Sequence, residues 1–228
     1  FLVDLPKIAV VRLLKPDKEM KKEISEKVLG RLTLYHSILI ECIENGTDTI
    51  SSSQIAARLR IDDSQVRKDF KLLNNEGRGR VGYHVPDLKD SIEDTLGFKT
   101  TKDAVIVGAG HLGQALAKYT AFNDYGLNIH ALFDTDEGKI GAAINGKRIF
   151  DISELPALMR AQGIEIAILT VPGACAQQTA DFLTKADVKY IWNFTPAVLK
   201  VPDDVKVWNE NLIASFLQFA CRDFQKED

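Results

Sequence analysis

A glycine-rich turn between an apolar run and an Ala/Leu-rich stretch most strongly restricts the fold of this chain. Residues 104–119 read AVIVGAGHLGQALAKY, which places Gly108, Gly110 and Gly113 in a Gly-x-Gly-x-x-Gly pattern. In such a pattern the first glycine permits a tight turn, the second lets a pyrophosphate approach the backbone, and the third lets a helix pack against a strand. Amide groups at the start of that helix bind phosphate oxygens, helped by the helix dipole. The pattern predicts a dinucleotide site, and the alternative is an empty turn whose glycines serve packing alone.

An acidic residue stands where a dinucleotide site of this kind needs one. Asp134 ends the next apolar run, ALFD, about twenty residues beyond Gly113. A carboxylate at this place accepts hydrogen bonds from the ribose 2′-hydroxyl and repels a 2′-phosphate. Residues 134–137 contain no Arg that would bind such a phosphate. The sequence therefore favours NAD(H) over NADP(H).

Short apolar runs alternate with helical patterns through the second half of the chain. Strands are predicted at residues 104–107, 128–134, 166–171 and 190–194, and helices at 112–122, 153–162 and 174–186. This alternation predicts the α/β class, with a Rossmann-type, doubly wound parallel sheet. Such sheets bind ligands at the carboxyl ends of their strands. Residues 169–173 and 192–196 lie at two predicted strand ends, so they either line the nicotinamide half of the site or form ordinary turns.

The first half of the chain has mostly helical patterns. Residues 18–44 predict one long helix, with Gly30 as a candidate interruption. A short helix at 54–59, a tight polar turn and a second helix at 64–74 predict a helix-turn-helix, and residues 77–86 predict a glycine-hinged β-hairpin beside it. At the other end of the chain, a final helix over 210–225 has a wide apolar face. That face needs a partner surface, which either the chain's own sheet or a second subunit would supply.

Basic side chains cluster in the predicted helix-turn-helix and hairpin, although the formal net charge of the chain is −3. Residues 58–80 hold seven Lys and Arg against four Asp and Glu. Gln, Arg and Lys are the side chains that read base edges or contact phosphates in DNA. Four of them lie on the second helix and two on the hairpin: Gln65, Arg67, Lys68, Lys71, Arg78 and Arg80. The pattern favours DNA contact over a merely solvated helix face.

Length and composition describe an ordinary globular protein. The chain has 228 residues, enough for two modest domains, and 45% of them are hydrophobic. No apolar run is long enough to span a membrane, and charged residues interrupt the opening stretch. The three cysteines are far apart in the sequence, lie among apolar neighbours and form no metal-binding pattern. We therefore expect a cytoplasmic protein with buried, inert thiols, no membrane segment and no metal.

A nicotinamide cofactor can be either consumed by an enzyme or sensed by a regulator. A dehydrogenase needs a proton donor or acceptor beside the substrate, and the second half of the chain offers no such residue and little length for a substrate lobe. We therefore predict that the chain is not an enzyme. Two alternatives stay open, a small NAD-dependent oxidoreductase with an accessory winged-helix domain and a CoA- or nucleotide-binding interaction module.

Several short motifs resemble the Rex family of redox-sensing transcriptional repressors. They are Arg31-Leu32 with Tyr35, Ile50-Ser51-Ser52, Gln65-Val66-Arg67-Lys68-Asp69, Arg80-Val81-Gly82-Tyr83, the glycine turn, Thr170-Val171-Pro172 and Asn193-Phe194 with Pro196. The resemblance extends from about residue 31 to about residue 216. It implies a homodimer that binds operator DNA when NADH is low and releases it when NADH rises. It also implies an N-terminal winged helix, a C-terminal NAD(H)-binding domain and a last helix exchanged between subunits.

The resemblance assigns two sets of site residues. Those expected at operator double-stranded DNA are Ser52, Ser53, Gln65, Arg67, Lys68, Lys71, Arg78, Arg80 and Tyr83. Those expected around NADH or NAD⁺ are Gly108, Ala109, Gly110, His111, Leu112, Gly113, Tyr119, Asp134, Thr170, Val171, Pro172, Asn193, Phe194, Thr195 and Pro196. No catalytic residue and no metal ligand is implied. The domains are expected at residues 1–96, 97–209 and 210–228, the last being the exchanged helix.

The sequence departs from the family pattern at three places. Residues 1–30 have no recognised counterpart, and residues 71–77 differ from the usual run before the wing. Some family members switch through a Tyr, an Asp and an Arg that link the domains. Tyr119 matches the first of these, but Asn211 and Ser37 stand at the other two places and cannot form an ion pair. We do not expect this switch in the present chain.

Overall fold

The computed structural model describes residues 24–73 and 81–223. The chain divides between Lys99 and Thr100 into two compact units. Each unit has its own cluster of buried apolar side chains.

The first unit is mainly helical. Its described elements are α1 (Glu26–Glu44), β1 (Thr49–Ile50), α2 (Ser52–Leu59), α3 (Asp63–Leu72), β2 (Tyr83–His84) and α4 (Val85–Leu96). The apolar positions of α1 that recur at three- and four-residue steps, Leu32, Tyr35 and Leu39, are all buried. They pack with Val66 and Phe70 of α3 and with Leu88 and Ile92 of α4. This core holds the helix-turn-helix formed by α2 and α3.

Local sequence signals explain where these helices begin and end. The Ser51 hydroxyl accepts a hydrogen bond from the Gln54 amide, while the Gln54 side chain accepts one from the Ser51 amide, so α2 starts with a capping box. The Asp62 carboxylate caps α3 through the Ser64 amide. The expected interruption of α1 at Gly30 is wrong, because the helix runs through this residue without a break. Residues 18–23 of that predicted helix lie outside the described part.

The region after α3 differs from the predicted hairpin. Tyr83 and His84 pair antiparallel with Ile50 and Thr49, so the strand partner of β2 is β1. Val85 then begins α4, with Pro86 in its first turn, whereas the prediction included both residues in the hairpin. Proline is favoured there because its missing N–H is not needed at a helix start. The rest of the predicted hairpin, residues 77–80, lies outside the described residues.

The second unit is built around a sheet of seven strands. Its strands are β3 (Lys102–Val107), β4 (Leu127–Asp134), β5 (Ala143–Ile144), β6 (Lys147–Asp151), β7 (Ile166–Leu169), β8 (Tyr190–Asn193) and β9 (Lys206–Asn209). The order across the sheet is β5-β6-β4-β3-β7-β8-β9. Every neighbouring pair is parallel except β5 with β6. Without the short edge strand β5, this is the Rossmann strand order, and it reverses direction at β3.

Helices follow β3, β6, β7 and β9, and within the described residues no α-helix lies between β4 and β6 or between β8 and β9. They are α5 (His111–Lys118), α6 (Leu155–Gln162), α7 (Gly173–Lys185) and α8 (Leu212–Asp223), with 3₁₀ turns at Thr120–Tyr125 and Ile152–Glu154. The predicted fold class is therefore confirmed. Three strands were not predicted, namely β5, β6 and β9. They lie at or near the edges of the sheet, where half-exposed positions make the apolar pattern weak.

The final helix begins two residues later than predicted. The structure starts α8 at Leu212, where the prediction had residue 210, and describes the chain as far as residue 223. Ile213, Phe216 and Leu217 of this helix are exposed. The apolar face that the sequence predicted is thus uncovered in the single chain.

Candidate functional site

The glycine turn lies at the carboxyl end of β3, where the sheet order reverses between β4 and β7. Gly108 has φ +105° and lies so close to β7 that an added Cβ would be 2.8 Å from the carbonyl carbon of Thr170. Gly113, in the first turn of α5, is equally confined, since its added Cβ would lie 2.0 Å from the Gly108 carbonyl oxygen. The first and third glycines therefore allow strand, turn and helix to pack closely.

Gly110 has a different environment. It precedes the first residue of α5, and a Cβ added there would meet no atom within 4 Å. Packing within the chain therefore does not require glycine at this position. The open space lies at the helix N-terminus, where amide groups and the helix dipole favour a phosphate. This observation favours a dinucleotide site over an empty turn.

Asp134 lies at the end of β4, next to the glycine turn. Its carboxylate accepts hydrogen bonds from the amides of Ala109 (2.7 Å), Thr135 (2.8 Å) and Asp136 (3.0 Å). Burial raises the pKa of Asp134, but the amides of Asp136 and Ala109 and the ammonium of Lys139 together lower it below its ordinary value. The group is thus held as a carboxylate beside the turn, where a ribose hydroxyl would find an acceptor.

Lys139 is a neighbour of Asp134 that the sequence reasoning did not consider. Its ammonium lies 3.2 Å from carboxylate oxygens of both Asp134 and Asp136. These two hydrogen bonds raise the pKa of Lys139. The prediction considered only residues 134–137 as a source of a cation. The turn that follows β4 places the Lys139 ammonium beside Asp134. Lys139 is thus a cation beside Asp134 that the prediction of NAD(H) over NADP(H) did not take into account.

The ends of β7 and β8 form the other half of the site. The Thr170 hydroxyl donates to the Gly108 carbonyl oxygen (2.8 Å), which fastens the end of β7 to the glycine turn. Asn193 is fully buried and donates from its amide nitrogen to the carbonyl of Ala197 (2.9 Å) and to the side-chain oxygen of Asn209 (2.8 Å). The Thr195 hydroxyl in turn donates to the Asn193 side-chain oxygen (2.7 Å). These side chains therefore determine the shape of the loops beside the site.

Aromatic rings extend from the end of β8 towards the end of α5. The ring of Trp192 lies 4.9 Å from that of Phe194 and 5.9 Å from that of Phe122. Phe122 is 5.0 Å from the exposed ring of Tyr119. Trp192 belongs to the predicted stretch 192–196 but was not assigned to the cofactor, and Phe122 was not predicted at all.

The remaining predicted cofactor residues lie around the same strand ends. Ala109 is buried in the turn and His111 is exposed at the start of α5. Leu112 is half-buried in the same helix, and Val171 is half-buried after β7. Pro172 caps α7, and the ring of Pro196 packs close to Gly173 at the start of that helix. All of them belong to the carboxyl edge of the sheet.

In the first unit, α3 presents a cationic surface. Arg67, Lys68 and Lys71 are exposed on this helix, while Val66 and Phe70 face the core. Arg67 pairs with the Asp63 carboxylate one turn earlier, and its Nη2 lies 3.1 Å from Oδ1. An exposed pair of this kind is weak, about 0.3–0.5 kcal/mol, so the guanidinium can exchange Asp63 for a phosphate.

A buried carboxylate joins α3 to α1. Asp69 is 1% exposed, and its carboxylate accepts hydrogen bonds from both Nε (2.6 Å) and Nη2 (2.9 Å) of Arg31. It also accepts hydrogen bonds from the Tyr35 hydroxyl (2.8 Å) and the Gln65 amide (2.9 Å). Gln65, a predicted DNA contact, is thus held against Asp69. The sequence reasoning quoted Arg31, Tyr35 and Asp69 as motif residues but assigned them no role.

The other predicted DNA residues have varied environments. Ser53 is exposed near the start of α2, and Ser52 is half-buried beside it. Tyr83 is buried, with its ring 4.8 Å from that of Phe70, and this burial favours a packing role. Arg78 and Arg80 lie outside the described residues.

The two residues that replace the family's ion pair have local roles. The Ser37 hydroxyl donates to the Thr33 carbonyl within α1. The Asn211 side-chain oxygen accepts a hydrogen bond from the Ala214 amide and so caps α8. Each position therefore serves its own helix.

Neither metal ligands nor membrane helices are found in the described residues. Among residues 24–73 and 81–223, no three His, Cys, Asp or Glu side chains come together as metal ligands would. No helix in those same ranges has the length and apolar character to cross a bilayer. Cys42 is buried as expected, but Cys175 and Cys221 are exposed, so the expectation of three buried thiols is wrong for two of them. Both lie on helices at positions that face away from the core.

Comparison with known families supports this two-part arrangement. Residues 23–71 match the family described as "Putative DNA-binding protein N-terminus", and residues 99–197 match the family described as "CoA binding domain". A helix-turn-helix unit followed by a dinucleotide-type sheet defines a class of protein, the DNA-binding regulators that carry a ligand-binding domain.

Whole-chain relatives identify the family within this class. The chain is 40% identical over 203 residues to the redox-sensing transcriptional repressor Rex of Clostridium botulinum strain Hall, covering 89% of this chain and 97% of that protein. It is 38% identical to the protein of the same name from Caldanaerobacter subterraneus subsp. tengcongensis, covering 89% and 90%. The chain therefore belongs to the Rex family of redox-sensing transcriptional repressors.

Solved structures agree with this assignment. The crystal structure of RSP in complex with β-NAD⁺ and operator DNA has a TM-score of 0.82 and 35% identity, and covers 90% of this chain and 95% of that one. RSP, which is described as a Rex-family repressor, is also similar in its complex with β-NADH, with a TM-score of 0.78, 37% identity, and 90% and 97% coverage. The relatives are regulators, so the prediction that the chain is not an enzyme is confirmed by family membership.

Proposed function

We propose that this protein is a transcriptional repressor that binds operator DNA and releases it when NADH binds. One observation carries the proposal: 90% of the chain superposes on a Rex-family repressor solved with operator DNA and NAD⁺, and the same repressor is also solved with NADH. The present chain keeps both parts that such a response needs. It has an open dinucleotide turn at Gly110 in one unit and an exposed cationic helix in the other.

The cofactor would lie across the carboxyl edge of the sheet at β3. The pyrophosphate fits the open N-terminus of α5 at Gly110, and the adenosine ribose fits the Asp134 carboxylate on the β4 side. The nicotinamide then extends to the opposite side of β3, towards the ends of β7 and β8. The residues on that side are Thr170, Val171, Pro172, Asn193, Phe194, Thr195 and Pro196, with Tyr119 near the end of α5.

Redox sensing requires that the two forms of the cofactor bind the protein differently. A ligand shifts a conformational equilibrium only through its differential affinity for the two states. The nicotinamide ring is the only part that differs, because it is neutral when reduced and cationic when oxidised. Burial of the ring in an apolar pocket would disfavour the cationic form more than the neutral one. NADH is therefore expected to stabilise the arrangement that does not fit DNA.

The DNA contacts would come mainly from α3. Its exposed cations Arg67, Lys68 and Lys71 suit phosphates and guanine edges in the major groove, and Gln65 lies at their side. Ser53 at the start of α2 suits a backbone phosphate. Arg78 and Arg80, which the family resemblance assigns to DNA, are proposed as further contacts. A protein with this role acts on chromosomal DNA, so we propose a cytoplasmic location.

We also propose that the protein acts as a homodimer. The exposed apolar face of α8 needs a partner, and exchange of this helix between subunits would cover it. Two copies of α3 would then meet two half-sites of a palindromic operator. In this arrangement residues 1–96 form the DNA-binding domain with its N-terminal extension, 97–209 the NAD(H) domain and 210–228 the exchanged helix.

A gel-shift titration tests the proposal. The protein is bound to a palindromic operator fragment at fixed salt, and the NADH/NAD⁺ ratio is raised at constant total nucleotide. We expect release of the DNA as the ratio increases, with no release by NADPH or by CoA at equal concentration. Continued occupancy at every ratio would refute the sensor function. Release by CoA instead of NADH would support the nucleotide-module alternative, and steady consumption of NADH with a metabolite would support the oxidoreductase.

Two variants separate the DNA site from the cofactor site in the same assay. Arg67→Ala should weaken DNA binding and reduce its salt dependence, because one phosphate contact is lost, while the affinity for NADH stays unchanged. Asp134→Ala should weaken NADH binding and leave ligand-free DNA binding near normal.

A further inference from the structure

A buried carboxylate near the end of β8 has two unusual partners. Glu210 is 9% exposed, and its Oε1 accepts hydrogen bonds from the indole nitrogens of Trp192 (3.2 Å) and Trp208 (3.1 Å). The chain has two tryptophans, so both of them donate to this one oxygen. Burial raises the pKa of Glu210 above its ordinary value, and the two indole N–H groups reduce this rise only in part. A carboxylate in this position is expensive to desolvate, and the indole hydrogen bonds offset part of that cost.

One of the two indoles belongs to the proposed nicotinamide end of the site. Trp192 is the third residue of β8 and contacts the rings of Phe194 and Phe122. Asp134 assigns the adenosine to the β4 side of β3, so the nicotinamide lies on the side of β7 and β8. A ring bound there would change the packing of this aromatic group. The hydrogen bond from Trp192 transmits such a change to Glu210.

The backbone of Glu210 connects the sheet to the last helix. Its amide donates to the Asn193 carbonyl (2.8 Å), directly after the last residue of β9. The next residue, Asn211, caps α8 through the Ala214 amide (2.8 Å). Glu210 is therefore the last residue bonded to the sheet before α8 begins. Its side chain contacts the aromatic group, and its backbone determines where the helix starts.

We propose that Glu210 is a positioning residue that couples occupancy of the nicotinamide end to the placement of α8. The inference rests on the proposed function and names a path for its regulation. When Trp192 shifts, there are two possible outcomes. Either the Glu210 carboxylate moves with the indole, or this buried carboxylate loses its hydrogen bond from Trp192. The second outcome is costly. The carboxylate therefore follows, and the start of α8 follows with it. The coupling needs no ion pair at positions 37 and 211.

The test compares Glu210→Ala and Glu210→Gln with the wild-type protein. Three quantities are measured. The first is the affinity of the protein for ADP, which lacks the nicotinamide. The second is the affinity of the ligand-free protein for operator DNA, and the third is the NADH concentration that releases half of the DNA. Glu210→Ala should leave the first two within about twofold and raise the third by about tenfold, the equivalent of one hydrogen bond to a charged group. Glu210→Gln keeps an oxygen acceptor and should restore release to within about twofold.

Tryptophan emission provides a spectroscopic check, because both indoles bond to Glu210. Glu210→Ala should shift the emission to longer wavelength, and Glu210→Gln should shift it less. Asp204→Asn is the matched control, since this exposed carboxylate pairs with Lys189 just before the opposite end of β8. It should resemble wild type in every assay.

The outcomes separate this inference from the function on which it rests. If NADH fails to release DNA from the wild-type protein, the proposed function is wrong. If wild type responds and Glu210→Ala releases DNA at the wild-type NADH concentration, the coupling through Glu210 is wrong. Should Glu210→Ala fail to fold, Trp192→Phe keeps an aromatic ring and removes the indole N–H. It should also raise the half-release concentration while ADP binds normally, and an unchanged half-release concentration would overturn the inference.

Discussion

Asp69 and Asp134 are carboxylates that organise the surfaces around them. Asp69 receives Arg31, Tyr35 and Gln65, so it fastens α3 to α1 and fixes a side chain expected at DNA. Asp134 receives the amide of Ala109 and thereby fastens the glycine turn to the end of β4. In both cases the carboxylate accepts hydrogen bonds from donors that are themselves held in place. The orientation of the carboxylate is therefore fixed. Each functional surface therefore depends on a residue that also holds its unit together.

Replacing Asp69 by Asn should destabilise the first unit. The substitution leaves the Arg31 guanidinium without its counter-charge, which costs about 3 kcal/mol of unfolding free energy, at the lower end for broken buried pairs because Arg31 is partly exposed. Urea unfolding followed by far-ultraviolet circular dichroism measures this loss. Tryptophan emission should be unaffected at the same urea concentration, since Trp192 and Trp208 both lie in the second unit. The double variant Arg31→Met with Asp69→Asn should recover much of the stability, and an unchanged transition in the single variant would show that the pair is not structural.

The helix α8 has an apolar face that its own unit does not cover. Ile213, Phe216 and Leu217 are exposed, although the helix immediately follows the capping residue Asn211 and is otherwise well formed. Large apolar residues grouped on an exposed helix mark an interaction surface. The partner that we propose for this surface is a second copy of the chain.

A charge on this face should prevent dimer formation. Phe216 is 61% exposed, so Phe216→Glu should fold normally but weaken dimer association by about 2 kcal/mol or more, the effect of losing a buried aromatic anchor. Sedimentation velocity over a range of concentrations measures the change. Val198→Glu is the matched control, since Val198 is an exposed apolar residue (87%) of the same unit outside α8. A dimer of unchanged strength in the Phe216 variant would assign the interface to another surface.

The two compact units give the protein two separate cores. A cofactor that binds only the second unit adds stability to that unit by mass action. The first unit gains stability from the same ligand only to the extent that the two unfold together. The response of each unit to NADH is therefore a direct measure of how they are coupled.

Saturating NADH should raise the unfolding temperature of the second unit more than that of the first. At a ligand concentration of a hundred times Kd the stabilisation is about 2.7 kcal/mol. Tryptophan emission reports the second unit, and calorimetry resolves both transitions. Gly110→Ala provides the control, because its added Cβ meets no atom within 4 Å and the ligand-free protein should unfold as wild type does. Its NADH-induced shift should be lost, since the methyl group occupies the phosphate position. Equal shifts of both transitions would instead indicate one cooperative molecule.

Much of the fold and part of the site follow from local patterns. The glycine turn, the alternation of buried strands and helices, and the helix-turn-helix were all predicted, because periodicity and turn residues act over short distances. The strand β9 and the helix α4 were missed. The first has only half-buried and exposed positions, and the second begins at a Val-Pro pair that resembled the end of a hairpin. The family is recognisable from its sequence motifs alone.

Contacts between residues far apart in the chain could be decided only by the folded protein. The sequence predicted that Asp134 lies close to Gly108 and Gly113, because β3 and β4 are neighbours in the sheet. Nothing local indicates that Asp69 receives Arg31 from 38 positions away, or that Glu210 receives an indole from 18 positions away. Local patterns determine which elements form, because they depend on backbone geometry and periodic burial. The partner of a buried charge depends on how those elements pack, and packing is a property of the complete fold.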